Sequence, residues 1–176
     1  MRIIGGQYKG LRIPMPSSGT IRPTTDRSRE SLFNILVHSI DLSEMSVLDL
    51  FGGSGAMSIE FASRGVKHVD CVELNSRVCK SLRELLKQHH INEVDIVQKD
   101  VLKFIQNRGQ SYDIIFADPP YQLNVVSQMP DLILKSDCLK DGGMFILEHE
   151  KNIQFPQEIL HDQRVYGQSV FSFFTK

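Results

Sequence analysis

The chain has 176 residues, of which 41% are apolar and 23% charged, and its formal net charge is −1. This length suits one domain with a substantial core, and no apolar run approaches the roughly 18 residues that a membrane-spanning helix requires. The opening Met1-Arg2-Ile3-Ile4-Gly5-Gly6 lacks the apolar stretch of a signal peptide. The three cysteines, Cys71, Cys79 and Cys138, fit neither a disulfide framework nor the paired spacing of a zinc site. Reduced, mostly buried thiols in a cytoplasmic protein are expected. Charge is unevenly spread. Residues 1–29 hold six basic side chains (Arg2, Lys9, Arg12, Arg22, Arg27, Arg29) and one acid, Asp26, whereas the rest hold 14 basic and 20 acidic groups. Such asymmetry suggests either a basic arm for a polyanion or a solvated surface.

In chain order, Arg2-Ile3-Ile4 and Leu11-Arg12-Ile13 are short β-like runs around Gly5-Gly6-Gln7-Tyr8-Lys9-Gly10, which reads as a hairpin or flap. Pro14, Pro16, Ser17, Ser18 and Gly19 make a loop. Thr25 or Asp26 can cap a helix that carries Leu32, Phe33, Leu36, Val37 and Ile40 at helical spacing. Arg27 and Arg29 sit in its first turn, the unfavourable end for cations. A phosphate, a cofactor carboxylate, Asp26 or Glu30 could supply the anion.

Residues 46–51 read as a strand, followed by Gly52-Gly53-Ser54-Gly55 and a helix of about ten residues ending at Gly65. Residues 66–72 form the next strand, with Glu73 at its tip. A helix over 76–90, a strand over 95–98, Asp100, and a short helix through Phe104 and Ile105 follow. Residues 112–117 read as a buried parallel strand. It ends in Asp118-Pro119-Pro120-Tyr121, where two prolines stop the ladder. Pro130 starts a helical segment. Gly142-Gly143 precedes a strand over 144–147, and residues 159–166 and 169–174 form a closing antiparallel hairpin. Phe171, Phe173 and Phe174 read as core. His38, His68, His89, His90, His149 and His161 lack ligand spacing and read as structural or surface groups. Strands alternating with helices predict an α/β, doubly wound, Rossmann-like sheet.

The chemistry gathers at strand ends. Asp118, main-chain carbonyls and the Tyr121 ring suit a planar group bearing an exocyclic amine, although acid and proline also end ordinary strands. Asp49-Leu50-Phe51-Gly52-Gly53-Ser54-Gly55 would let a ligand approach the backbone, or make a tight turn. It lacks the third glycine of G-x-G-x-x-G, since position 58 is Ser. Asp49 could pair with a cationic group such as an α-amine. Glu73 could accept from both ribose hydroxyls. Asp100 could accept from an adenine amino group or cap the following helix. Together these outline a nucleoside site at the carboxyl ends of four strands.

These residues resemble the RsmD family, the bacterial 16S small-subunit ribosomal RNA guanine-N2 methyltransferases, and class I S-adenosyl-L-methionine (SAM) methyltransferases more broadly. The resemblance rests on the opening ten residues and on Arg22-Pro23-Thr24-Thr25-Asp26-Arg27-Ser28-Arg29-Glu30-Ser31-Leu32-Phe33-Asn34. It continues through residues 49–55, Glu73, Asp100 and Asp118-Pro119-Pro120-Tyr121. Gly52 stands where the family usually has alanine and Gly6 where serine is frequent, and the match weakens after Leu123. The resemblance implies a seven-stranded, mostly parallel sheet with helices on both faces, in which a C-terminal hairpin makes one strand antiparallel. It implies an N-terminal hairpin arm over 1–25 and a SAM-dependent methyltransferase domain over 26–176. SAM would be held by Asp49, Phe51, Gly53, Gly55, Glu73 and Asp100. Asp118 and the Pro119 carbonyl would hold the guanine amine and favour a tetrahedral nitrogen, with Tyr121 stacked on an unpaired base. Positioning and electrostatics would then suffice, without a metal or a strong base. Arg2, Lys9, Arg12 and Arg27 are the candidate contacts to small-subunit ribosomal RNA, naked or in a partly assembled 30S subunit.

Asp-Pro-Pro-Tyr also occurs in adenine-N6 DNA methyltransferases, but residues 22–34 and the absence of an obvious DNA-recognition domain argue against that activity. A non-catalytic nucleic-acid-binding module and a dinucleotide oxidoreductase share the fold class. The intact Asp118 loop beside an intact glycine loop argues against the former.

Overall fold

The computed structural model describes residues 1–14, 26–106, 109–120, 123 and 125–176. Its centre is a seven-stranded sheet in the order β3-β2-β1-β4-β5-β7-β6. The strands are β1 (Ser46–Leu50), β2 (His68–Glu73), β3 (Val94–Gln98), β4 (Tyr112–Ala117), β5 (Leu139–Glu150), β6 (Leu160–Tyr166) and β7 (Ser169–Thr175). β3, β2, β1, β4 and β5 run parallel, while β7 is antiparallel to both β5 and β6. The closing hairpin thus contributes the reversed strand, as the family resemblance implies.

Alternating side chains divide between two cores. On one face lie α1 (Asp26–Ser39), α2 (Ala56–Ser63) and α3 (Ser76–Gln88), packed through Leu32, Phe33, Phe61, Leu82 and Leu86 onto Val47, Phe116 and Ile146. On the other, α4 (Val101–Ile105) and α5 (Met129–Leu134) cover Leu48, Ile115, Phe145 and Leu147. Phe171 and Phe174 are fully buried and Phe173 nearly so. All three cysteines are buried and free. Every residue of α2 is buried, because the chain's opening residues lie over its outer side.

Residues 2–12 form a narrow hairpin joined by the antiparallel bridge Arg2↔Arg12. Ile3 and Ile13 enter the first core. The Glu60 carboxylate on α2 accepts from the N–H groups of Ile4 at 2.8 Å and Gly5 at 2.9 Å. Ser63 receives the Gln7 N–H on its carbonyl and the Tyr8 N–H on its hydroxyl, which in turn donates to the Gly5 carbonyl. The Tyr8 hydroxyl reaches Glu93 at 2.9 Å, so the arm is fastened at two places.

Several elements differ in extent from the sequence expectation. β5 begins at Leu139 rather than 144, with Gly142 (φ 76°) and Gly143 inside it. The register to β4 shifts between Tyr112 and Ile114, and a Cβ at Gly143 would lie 2.8 Å from the Lys140 carbonyl. The glycine pair is therefore a bulge inside the strand. α3 ends at Gln88 because His90 takes φ 53°. Pro130 lies in the first turn of α5, following a 3-10 turn over Val126–Gln128. Arg22, Thr25 and the loop over residues 15–19 lie outside the described residues.

Candidate active site

The chain passes from β1 to its neighbour β2 on one side and later returns to β4 on the other, so ligands are expected at the carboxyl ends of β1 and β4. β1 ends at Leu50, which pairs with Val72 on β2 and Ala117 on β4. The loops that follow these strands carry most of the candidate residues.

Phe51 leaves β1 with φ 65°, a costly conformation for a bulky residue. Gly53 (φ 52°) and Gly55 (φ 75°) continue the tight path, and a Cβ at Gly55 would approach Leu82 to 2.7 Å. The loop is held from outside. Gly52 N–H donates to the Val72 carbonyl at 2.8 Å, and Gly53 N–H to the Glu73 carboxylate at 2.9 Å. A Cβ at Gly52 would lie 2.2 Å from the Cys71 sulfur. An alanine at this position would require the Cys71 side chain to shift.

Asp49 is 2% exposed and points towards α2, where the Ser58 hydroxyl donates to it at 2.5 Å. Burial pushes its pKa up to about 7; the Ser58 hydrogen bond opposes this and the Glu73 charge adds to it. Glu73 ends β2 and also accepts the Asn75 N–H at 2.7 Å, so it braces both its own turn and the glycine loop. A carboxylate has about four acceptor positions, so two backbone bonds leave capacity for hydroxyls. Asp100 caps α4 by accepting the Lys103 N–H at 3.0 Å. That is one of the two roles its position suggested, and it leaves the second oxygen's contacts open to a ligand. Leu74, 65% exposed, follows Glu73 at the rim. The sequence did not single it out, although an exposed apolar residue directly after a strand-tip acid is available to pack against a bound ring.

Across the switch point, Asp118 is half-buried and Pro119 buried. The Pro120 carbonyl accepts the Leu123 N–H at 2.8 Å and closes the turn just past them. Tyr121 lies outside the described residues. The site therefore joins a strained glycine loop, a bracing acid and an apolar rim on one side to an acid–proline turn on the other. The cradle fits a nucleoside-bearing cofactor such as SAM, since Gly53 leaves the backbone uncovered and Glu73 keeps acceptor capacity beside it.

Arg29 is fully buried and donates from Nη2 to Asp26 at 2.7 Å and to the Arg2 carbonyl at 2.9 Å, so Asp26 is the one of the four candidate anions that it meets. Arg2, Lys9, Arg12 and Arg27 are exposed, and Arg2 also pairs with Asp26 at 3.2 Å. Among the described residues, His68, Asp70 and Asp95 could hold a metal, their ligand atoms lying within 4.8 Å of one another. Strand register, invisible in linear spacing, brings Asp70 and Asp95 together. Asp70 already accepts the buried Tyr112 hydroxyl at 2.6 Å and faces His68 at 3.3 Å. The group lies near the start of β2, away from the carboxyl-end site.

Residues 1–175 match the family model described as Conserved hypothetical protein 95. The Escherichia coli (strain K12) protein named ribosomal RNA small subunit methyltransferase D is 31% identical over 180 residues, covering 100% of this chain and 90% of that one. Its Haemophilus influenzae namesake is 34% identical over 157 residues, covering 86% of this chain and 80% of that one. The chain belongs to the RsmD family. A Thermus thermophilus structure described as a hypothetical protein superposes on this RsmD-family chain with TM-score 0.87 at 28% identity, covering 100% of this chain and 99% of that one. The Thermus thermophilus 16S rRNA N2 G1207 methyltransferase RsmC, solved with AdoMet and guanosine, gives TM-score 0.73 at 22% identity, covering 91% of this chain and 44% of that one. It shares the fold. No helix among the described residues is long and apolar enough to cross a membrane.

Proposed function

We infer that this RsmD-family protein transfers a methyl group from SAM to the exocyclic N2 amine of a guanine in small-subunit ribosomal RNA. The observation that carries this reading is the meeting of the Asp118–Pro119 turn with the glycine loop across the β1–β4 switch point, in a chain matched along almost its whole length. The relatives' names supply the RNA. Asp49, Phe51, Gly53, Gly55, Glu73 and Asp100 are the residues that would hold SAM, which brings an electrophilic methyl group.

The protein's own groups act on the base. Guanine N2 is a weak nucleophile because its lone pair is delocalised into the ring. A carboxylate at Asp118 and the Pro119 carbonyl, accepting from the amine, draw the nitrogen towards a tetrahedral state and fix its orientation. Tyr121 offers a stacking surface for the unpaired base. The amine loses its extra proton after transfer. The substrate is either naked rRNA or a partly assembled 30S subunit, met in the cytoplasm.

The test is transfer of labelled methyl from SAM to naked rRNA, to unmodified small subunits and to duplex DNA, with the labelled nucleosides identified after digestion. N2-methylguanosine from RNA is expected; N6-methyladenine from DNA would replace this reading. Asp118→Ala should lose at least about a hundredfold in turnover, the effect of removing one preorganised polar group, with SAM affinity kept. Turnover near the unsubstituted rate would remove Asp118 from the mechanism.

A further inference from the structure

A second buried carboxylate stands beside Asp118. The last registered pair between β4 and β5 is Ala117↔Leu147, so the next step places Asp118 opposite Glu148. Phe116 and Ile146, two residues earlier on the same strands, both face the α1–α2 core. Alternation carries Asp118 and Glu148 to that same face. Neighbouring strands lie about 4.8 Å apart, so Glu148 is the β5 residue next to the position where Asp118 leaves β4. Glu148 is 2% exposed.

Among the described residues, Arg29 is a cation whose charge reaches Glu148. Its side chain is fully buried, and Nε and Nη1 are side-chain nitrogens without a hydrogen-bond partner among the described residues. Burial lowers the Arg29 pKa, while the charges of Asp26, Glu60 and Glu148 oppose that. Glu60 serves the arm and Arg64, and Asp26 sits at the surface. Glu148 therefore brings a negative charge next to the acid that would take the N2 amine, and Arg29 lies close enough to feel that charge.

Guanine presents donor N2–H, donor N1–H and acceptor O6 in a row. Adenine presents an amine next to an acceptor at N1. Asp118 alone cannot tell two exocyclic amines apart. A second carboxylate next to it distinguishes them, because it accepts from guanine N1–H and repels the N1 lone pair of adenine.

We propose that Glu148, backed by Arg29, is a specificity-determining residue that accepts a hydrogen bond from N1–H of the target guanine while Asp118 holds N2. This rests on the guanine-N2 reading above. The two fail separately, because the nucleoside formed on unsubstituted RNA tests that reading by itself.

The experiment maps the methylated guanine, then replaces it with 2-aminopurine, which keeps the N2 amine but has an acceptor at N1 and no O6. Single-turnover methyl transfer is compared for the two RNAs. The unsubstituted protein should act at least about tenfold more slowly on 2-aminopurine, as sites built around a hydrogen bond reject analogues lacking it. Glu148→Gln should lose at least about tenfold on guanine. It should narrow or reverse the preference, because its amide can donate to N1 of 2-aminopurine. Equal rates on the two RNAs for the unsubstituted protein would overturn the proposal. So would a Glu148→Gln protein that slows both substrates by one factor. If Glu148→Gln fails to fold, as judged by melting and SAM binding, the comparison with unsubstituted protein still decides. Absence of N2-methylguanosine from the guanine RNA would overturn this proposal together with the reading it rests on.

Discussion

Asp49 is a carboxyl group held at the edge of ionisation. Burial raises its pKa to about 7, with the Ser58 hydroxyl as its hydrogen-bonding neighbour. An acid whose pKa is higher folded than unfolded binds more protons in the folded state. The apoprotein should therefore lose stability as pH rises from about 4 to about 7, then level off. If Asp49 takes the cationic amine of SAM, the ligand prefers the ionised acid and the trend in affinity has the opposite sign. SAM binding should weaken by up to about tenfold per pH unit below about 7. Calorimetric titration between pH 5.5 and 8.5 measures this, with Asp49→Asn as the comparison. A flat profile for the unsubstituted protein would separate Asp49 from the amine, as would an equally sloped profile for Asp49→Asn.

The arm shows how one glycine fixes an element. Gly6 has φ 73°, and a Cβ there would fall 1.6 Å from the Ser63 carbonyl oxygen on α2. Gly10 has φ 88° with nothing within 4 Å of a Cβ. Alanine at either position pays the left-handed cost of about 1–2 kcal/mol. Only Gly6→Ala also collides with backbone. Gly6→Ala should therefore lift the arm from α2 and speed hydrogen exchange across residues 3–11, while Gly10→Ala leaves that protection in place. Equal loss of protection in both would mean that strain, not the fit against α2, decides the docking. This contact shows where legibility stopped. The hairpin could be read from two β-like runs around a glycine-rich turn, but its seat on Glu60, Ser63 and Glu93 joins residues more than 50 positions apart. The strand-end pattern of Asp49, Glu73 and Asp118 was legible because parallel strands place successive carboxyl ends at one edge. Burial was not. Arg29 reads as a first-turn cation whose anion could be a phosphate, a cofactor carboxylate, Asp26 or Glu30, and only the packing of the arm over α1 and α2 shows that it is buried and paired with Asp26. Glu148 follows the apolar run 144–147 inside β5 and gives no signal until strand order sets β5 beside β4.

At the scale of the whole molecule, a chain of net charge −1 must bind a polyanion through the distribution of its charge. The opening 29 residues hold six basic groups and one acid. The hairpin presents Arg2, Lys9 and Arg12 at the surface, with Arg27 exposed on α1. The pair Arg2–Asp26 joins two exposed side chains at 3.2 Å and adds little to stability. These cations can therefore be removed without unfolding the protein. Each phosphate contact contributes about 0.7 to the salt slope for single-stranded RNA, and about 0.9 was established for duplex DNA. The triple substitution Arg2→Gln, Lys9→Gln and Arg12→Gln should weaken RNA binding and reduce that slope by about two, with SAM affinity and melting temperature nearly unchanged. Binding measured across a salt series gives the slope directly. If affinity falls while the slope stays fixed, the arm positions RNA through shape rather than charge. If neither changes, the RNA lies on another face, and the basic opening is a solvated surface.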